Sequence, residues 1–249
     1  MKILSLIPAR MGSSRFPGKP MKKILDKPMI GHVYERVRQC KSLDFTAVAT
    51  CDLEIFDYIN SIGGAAVMTK NTYERASDRC LEALLALEEQ HNMKYDIVVM
   101  VQGDEPMTEP EMIDEAVSPM LSDDTIEIVN LVAKIKTQEE FEDRNCIKVV
   151  TDLDDNALYF SREPIPTQAK VENVTMKKQV CIIPFKRDFL FKYGMWNPTP
   201  LEDAESVDMM RVLEHGHKVK MVKTKFDTKA VDTPEDLILV EALMKVQEE

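Results

Sequence analysis

The chain has 249 residues, 44% of them hydrophobic and 30% charged, which is enough to bury a substantial core with room for a small appended lobe. Its formal net charge of -11 argues against nucleic acid as a partner, because nonspecific affinity for a phosphate backbone comes from excess Lys and Arg; any anionic substrate must be met by local positive charge. No apolar run approaches the roughly 20 residues of a spanning helix and no signal-type apolar segment opens the chain, so a cytoplasmic protein with no membrane partner is expected.

Residues 2–7 read as a buried strand that opens into the loop Pro8-Ala9-Arg10-Met11-Gly12-Ser13-Ser14-Arg15-Phe16-Pro17-Gly18-Lys19-Pro20. A polyphosphate needs backbone N–H donors turned toward it, close approach without bulky side chains, and fixed cations nearby. Gly12 and Gly18 permit tight turns, Ser13 and Ser14 add hydroxyls, and Arg10, Arg15 and Lys19 place three positive charges within ten residues of an otherwise acidic protein. A Walker loop fits badly: five residues separate Gly12 from Gly18, and Pro20 rather than Ser or Thr follows Lys19. The dinucleotide fingerprint G-x-G-x-x-G is absent.

After a short strand and turn at residues 24–28, Met29, Ile30, Val33, Val37 and Cys40 recur at helical spacing, with Pro28 in the first turn. Residues 45–50 form an apolar strand. A helix carrying Ile55, Ile59 and Ile62 stops at Gly63-Gly64, and a strand follows at 65–68. A third helix begins at Ser77, with Ser77 or Asp78 as its cap, and residues 96–101 are apolar on both faces, as a strand between helix layers would be. Strand and helix alternate over the first hundred residues. This predicts an α/β fold with a doubly wound, mostly parallel sheet, in which ligands sit at the carboxyl ends of the strands. Both the opening loop and Gln102-Gly103-Asp104-Glu105-Pro106 leave such ends.

Beyond Pro110 a helix is expected to about Leu121, then a strand over 127–135. Strands at 147–150 and 157–160 flank the turn formers 152–156 and make a hairpin. Residues 167–178 lack periodicity and read as a mobile loop. A strand over 179–185, a short helix near Phe189, one helix from Pro200 through Val207, Met210 and Leu213, and a strand over 219–222 follow. Thr233 caps a last helix with Pro234 at its first position. The simplest organisation is one domain with an inserted antiparallel lobe, in three stretches: residues 1–125, 126–230 and a returning segment over 231–249. Cys40, Cys51, Cys80, Cys146 and Cys181 are odd in number and scattered, the pattern of free thiols. His215 and His217 flank Gly216 as a turn would, with no zinc-type spacing.

Carboxylates beside a polyanion would repel it by several kcal/mol, on the order set by an effective dielectric near 20, unless a divalent cation intervenes. Asp104, at a strand end, and Asp232, where a late strand meets the last helix, could share one Mg²⁺ with a triphosphate; a hard cation takes one or two carboxylates plus phosphate and water oxygens.

The pattern P-A-R-x-x-S-x-R-[LF]-P-G-K-P resembles the signature loop of cytidylyltransferases that activate acidic sugars, above all the 3-deoxy-manno-octulosonate (KDO) cytidylyltransferases. Q-G-D-E-P and V-D-T-P-E-D match its other anchors. K-P-M-I-x-H-V-Y-E-R, V-A-T, G-G-x-x-x-M-T and A-L-Y-F-S-R fall in the same order, so the similarity spans nearly the whole chain. The resemblance implies a Rossmann-like nucleotidyltransferase fold, transfer of CMP from CTP to an acidic acceptor with release of pyrophosphate, Mg²⁺ as cofactor, and a homodimer. Met195, Trp196 and Phe189 are candidates for the dimer interface, with core burial as the alternative for each. By position, Pro8, Ala9, Arg10, Ser13, Arg15 and Lys19 would hold the triphosphate, with Lys19, Arg10 and Arg15 stabilising charge in the reaction. Ser77, Asp78, Arg79 and Gln102 would lie near the cytidine, and Asp104 and Asp232 would bind Mg²⁺.

The acceptor half departs from the family pattern. Tyr73-Glu74-Arg75-Ala76-Ser77-Asp78-Arg79 stands for H-x-S-G-T-D-R, which makes Arg75 a cation where serine is usual. Gln179-Val180-Cys181-Ile182-Ile183-Pro184-Phe185 stands for H-x-G-I-Y-x-Y, and Asp208-Met209 for Glu-Gln. Lost contacts to a polyhydroxylated sugar cost about 1–3 kcal/mol per unpaired group. Two readings follow: an acceptor other than KDO, another ulosonic acid or a small phosphonate, or a KDO enzyme with local compensations. Arg75, Arg162, Gln179 and Asp208 are the candidate acceptor residues. A non-catalytic nucleotide sensor is the alternative to an enzyme.

Overall fold

The computed structural model describes residues 1–13, 15–73, 75–169 and 174–248, with side chains through residue 246. Ser14, Glu74 and part of the 167–178 segment therefore lie outside the described residues. The chain forms two compact units, Met1–Asp114 with Asp227–Glu249, and Glu115–Phe226.

The first unit opens with β1 (Ile3–Ala9), every residue of which is buried. A 3₁₀ turn at Lys19–Met21 and a two-residue hairpin, β2 (Lys23–Ile24) and β3 (Lys27–Pro28), lead into α1 (Met29–Val37). Then come β4 (Phe45–Thr50), α2 (Leu53–Ser61), β5 (Ala66–Met68), α3 (Ala76–His91) and β6 (Ile97–Val101). Within this unit the strands lie in the order β6-β1-β4-β5, and all the pairs are parallel. Leu4, Leu6 and Ile7 of β1 and Val98, Val99 and Val101 of β6 are fully buried. Each such side chain contributes about 1.5–3 kcal/mol relative to exposure.

The chain winds outward from β1 to β4 and β5, then returns to the other flank of β1 as β6. The direction of winding thus reverses between β1 and β6, and the crevice of such a sheet opens at the carboxyl ends of those two strands. Gly103, just past β6, is packed so closely that a Cβ there would meet the Pro8 carbonyl oxygen at 2.9 Å and Ile30 Cδ1 at 3.2 Å. A side chain at this position would push the two strand ends apart. The last helix, α9 (Pro234–Glu248), buries Val240 and Met244 in a cluster with Phe16, Ile24, Met29, Met107 and Val231. Residues from both ends of the chain therefore share one core.

Helix α4 (Pro110–Ser122) contains the boundary between the units. The second unit holds β7 (Val129–Lys134), α5 (Gln138–Glu142), β8 (Lys148–Thr151), β9 (Ala157–Ser161), β10 (Lys177–Val180), β11 (Ile182–Lys186), α6 (Arg187–Gly194), α7 (Pro200–Glu205), α8 (Asp208–Glu214) and β12 (Lys220–Lys223). Its sheet runs β12-β7-β10-β8-β9, antiparallel except for β12 beside β7. A bridge between Asn156 and Lys220 links its two edges, with Ala157 N–H donating to Val219 O at 2.9 Å. The sheet curls back on itself, which covers strand edges that would otherwise pair with other chains.

Several local expectations differ from the structure. α3 starts at Ala76 with Arg75 before it and no side-chain cap, so neither Ser77 nor Asp78 caps it. The expected strand over 179–185 is interrupted at Cys181, and Lys177 and Lys178 of the expected loop belong to β10. The helix from Pro200 is two helices, because Ser206 adopts a left-handed φ of 52° and no residue type announces that break.

The α7–α8 pair is closed by a buried ion pair. Arg211 donates from Nε to Glu202 Oε2 and from Nη2 to Glu202 Oε1, each at 2.7 Å, and its guanidinium lies 4.5 Å from the centroid of the Tyr193 ring. Both residues are almost fully shielded from solvent. Removing one partner of such a pair strands a buried charge, whereas replacing both with apolar groups is close to neutral. Urea unfolding should therefore show Glu202→Ala destabilised by about 3–5 kcal/mol and a Glu202→Leu/Arg211→Met double variant affected far less.

Candidate active site

The phosphate-type loop is shaped by its own backbone. Ser13 N–H and Gly18 N–H both donate to Met11 O at 2.9 Å, Phe16 N–H donates to Ser13 Oγ at 3.2 Å, and Gly18 takes a left-handed φ of 72° that favours glycine. Asp52, just past β4, accepts from Met11 N–H at 2.8 Å and ties the loop to the neighbouring strand end. Sequence reasoning assigned Asp52 no role; its position directly after a buried parallel strand was the available signal.

Lys19, at the end of this loop, reaches across the switch point. Its Nζ donates to Asp104 Oδ2 at 2.6 Å, to the Val231 carbonyl at 2.9 Å and to Asp232 Oδ1 at 3.3 Å. Arg15 Nη2 lies 2.9 Å from the same Asp232 oxygen. Val231 N–H donates to the Asp104 carbonyl at 2.9 Å, so the segments carrying the two acids are joined by main chain as well as by charge. Lys19, Arg15, Asp104 and Asp232, named from three separated stretches of sequence, thus meet at one place within the first unit. Burial disfavours the Lys19 ammonium, but Asp104 and then Asp232 outweigh it and hold its pKa above the ordinary value of 10.5. Glu105, next to Asp104, is buried and accepts from the Thr228 hydroxyl, which anchors the turn after β6 to the returning chain.

The other nucleotide candidates fall in two groups. Pro8 and Ala9 end β1 and are buried, and Arg10 is exposed, with Nη1 donating to the Tyr73 carbonyl at 3.4 Å. Arg79 is nearly fully buried. It donates to Thr69 Oγ1, to Lys70 O at 3.3 Å and to Tyr73 O at 3.4 Å, which makes it a clamp on the 69–73 loop. Ser77 is buried on α3, Asp78 is half-buried beside it, and Gln102 follows β6.

The acceptor candidates are distributed over both units. Arg75 precedes α3 in the first unit, and Arg162, Gln179 and Asp208 belong to the second. The Arg162 side chain donates to the carbonyls of Glu205 at 2.5 Å, Arg144 at 2.9 Å and Ser206 at 3.2 Å, while its N–H donates to the Glu205 carboxylate at 2.8 Å. Glu205 also accepts from Tyr159 and Ser161, both at 3.1 Å. Gln179 Nε2 donates to Oδ1 of the buried Asn130 at 2.6 Å, and the Asp208 carbonyl accepts from the Tyr193 hydroxyl at 3.3 Å. Of the interface candidates, Phe189 is buried and packs edge-on against Trp196, whereas Met195 is 79% exposed.

Asp104 and Asp232 offer only hard oxygen donors, and with the Val231 carbonyl they already surround a cation, the Lys19 ammonium. That donor set suits Mg²⁺ rather than a softer ion. Among the described residues no group of three or more His, Cys, Asp or Glu is placed to hold a metal ion.

The Lys19 contacts carry a stability signature. Because the folded-state pKa lies above the unfolded value, their contribution is intact below about pH 10.5 and is lost as pH rises through the raised value. Melting curves from pH 7 to 12 should show wild type more stable than Lys19→Met at neutral pH, with the gap closing at the alkaline end.

The family profile described as cytidylyltransferase matches residues 4–221. The 3-deoxy-manno-octulosonate cytidylyltransferase of Geobacter metallireducens is 40% identical, covering 99% of this chain and 100% of the relative, and that of Geotalea uraniireducens is 41% identical over 95% and 96%. Among solved structures, a CMP:2-keto-3-deoxy-manno-octonic acid synthetase complexed with CTP superposes with a TM-score of 0.90 at 36% identity, covering 99% of this chain and all of the other. A cytidylyltransferase from Leptospira borgpetersenii, 21% identical with a TM-score of 0.65, shares the fold. With the loop, the switch point and both acids in place over the full length of such relatives, this chain belongs to the 3-deoxy-manno-octulosonate cytidylyltransferase family.

Proposed function

We propose that the protein transfers CMP from CTP to 3-deoxy-manno-octulosonate and releases pyrophosphate. The observation that carries this reading is the meeting of Lys19, Arg15, Asp104 and Asp232 beside the carboxyl ends of β1 and β6, in a chain about 40% identical to KDO cytidylyltransferases over their whole length.

The acceptor hydroxyl attacks the α-phosphorus of CTP in line. A new P–O bond forms as the bond to the β-phosphate oxygen breaks, the hydroxyl proton passes to solvent, and pyrophosphate leaves. Little covalent chemistry falls to the protein, so positioning and charge stabilisation supply the rate. The loop over residues 8–19 holds the triphosphate, with Arg10, Arg15 and Lys19 facing the charge that builds on the leaving phosphates and Ser13 keeping the turn in shape. Arg79 fixes the 69–73 loop, and with Ser77, Asp78 and Gln102 it frames the cytidine, where polar groups left unpaired by a wrong base give discrimination. Asp104 and Asp232 would hold Mg²⁺, which when bound screens phosphate charge and favours the ionised acceptor hydroxyl.

On the acceptor side, Gln179 stands where the family has histidine, and its amide is oriented by Asn130, which supports local compensation within a KDO site. Arg162 holds the Glu205–Ser206 turn and the Arg144 carbonyl, so its role is to support the second unit's backbone, and Arg75, Gln179 and Asp208 are each left as candidates for direct contact with the acceptor. The same reading carries a cytoplasmic homodimer, to which the exposed Met195 could add apolar surface.

Purified protein given CTP, Mg²⁺ and KDO should release pyrophosphate and form a CMP-linked acid. Release only with a different acid would overturn the acceptor assignment, and CTP binding without release for any acid in a panel of ulosonic acids and phosphonates would overturn the enzyme reading. Steady-state kinetics of Lys19→Met should show kcat/KM lowered on the order of 100-fold, the scale of losing one charge-stabilising donor.

A further inference from the structure

The turn that carries Asp232 is held by another carboxylate with no part in the assignments above. Asp236 Oδ2 accepts from the backbone N–H of Asp232 at 3.1 Å, from the backbone N–H of Thr233 at 3.0 Å and from the Thr233 hydroxyl at 3.0 Å. Asp236 N–H donates back to Thr233 Oγ1 at 3.2 Å. The reciprocal part of this pattern is a capping box, in which the third helical residue accepts from the backbone of the cap residue and so satisfies a donor at the helix start. The bond to Asp232 goes beyond a cap. It reaches one residue further out, to the acid itself.

Lys229 Nζ lies 3.1 Å from Asp236 Oδ1, so the oxygen that does not face the backbone is anchored from the other side. Asp232 thereby sits between two fixed points. Val231, before it, exchanges bonds with the Asp104 carbonyl and with Lys19, and Thr233, after it, is bound to Asp236. A cation shared by two carboxylates demands their separation to within about 0.5 Å, and such a demand is met by supporting hydrogen bonds rather than by the acid's own freedom.

We propose that Asp236, oriented by Lys229, is a positioning residue for the reaction: it fixes the backbone at Asp232 so that this carboxylate and that of Asp104 meet one divalent cation together. The inference rests on the metal reading given under the proposed function.

Mn²⁺ binding followed by electron paramagnetic resonance, with and without CTP, reads the site apart from turnover, and the Mg²⁺ concentration for half-maximal pyrophosphate release reads it during turnover. Asp236→Ala should weaken divalent binding by about 10- to 100-fold in both measurements, with Lys229→Met and Asp236→Asn in between, while the KM for CTP at saturating Mg²⁺ stays near wild type. Glu241→Ala, which breaks the exposed pair with Lys245 on the same helix, controls for helix stability and should leave metal affinity unchanged. Should Asp236→Ala and Asp236→Asn lose only unfolding stability in urea and keep wild-type affinity for Mn²⁺, Asp236 is a helix cap and nothing more. A wild-type protein that binds no Mn²⁺ in either condition would instead overturn the metal reading beneath it.

Discussion

One ammonium group between two carboxylates organises this molecule. Asp104 and Asp232 come from opposite parts of the chain, and at the separation that Lys19 imposes their charges would repel by several kcal/mol, on the order expected for an effective dielectric near 20. Lys19 removes that repulsion and adds a bond to the Val231 carbonyl, while Arg15 approaches from the solvent side. The electrostatic problem posed by the two acids is the same one that a triphosphate with its cation would solve. A site built to hold positive charge between oxygens is thus already formed by the protein's own residues.

The sheet makes this meeting possible. Because winding reverses between β1 and β6, the loops leaving those strands face the same crevice, and the close packing at Gly103 keeps their backbones together. Asp52 and Glu105 then act as fasteners, the first from β4 to the phosphate-type loop and the second from the turn after β6 to Thr228. Buried strand ends and short polar ties place these groups, and the partly exposed Arg15 reaches Asp232 from the solvent side.

Much of this was legible in the sequence because it depends on patterns that repeat within a few residues. Continuous apolar runs announced β1, β4 and β6, and the spacing of Gly, Arg and Lys announced the loop. Lys19, Asp104 and Asp232 could be named from their motifs. Features that depend on partners far along the chain were not legible. Glu202 falls in the helix expected from Pro200, yet it is buried because Arg211 on the next helix pairs with it. Arg162 looked like a cation for a substrate, yet three backbone carbonyls occupy its donors. Ser206 carries a left-handed backbone without being Gly or Asn, so the break between α7 and α8 had no local sign. The role of Asp236 was half visible: a Thr followed three residues later by a carboxylate marks a cap, but the reach to Asp232 does not follow from spacing.

The first unit is assembled from residues at both extremes of the polypeptide, with more than a hundred residues of the second unit intervening in the chain. During synthesis the strands β1 to β6 emerge early, but Asp232, Asp236 and α9 emerge only after the whole second unit. A nascent chain can therefore build its parallel sheet long before it can pair Lys19 with Asp232 or cover Phe16 and Met29 with Val240 and Met244. The crevice at the strand ends is thus completed only once the second unit has been made, and a chain released before then would carry the Lys19 loop with only one of its two acids.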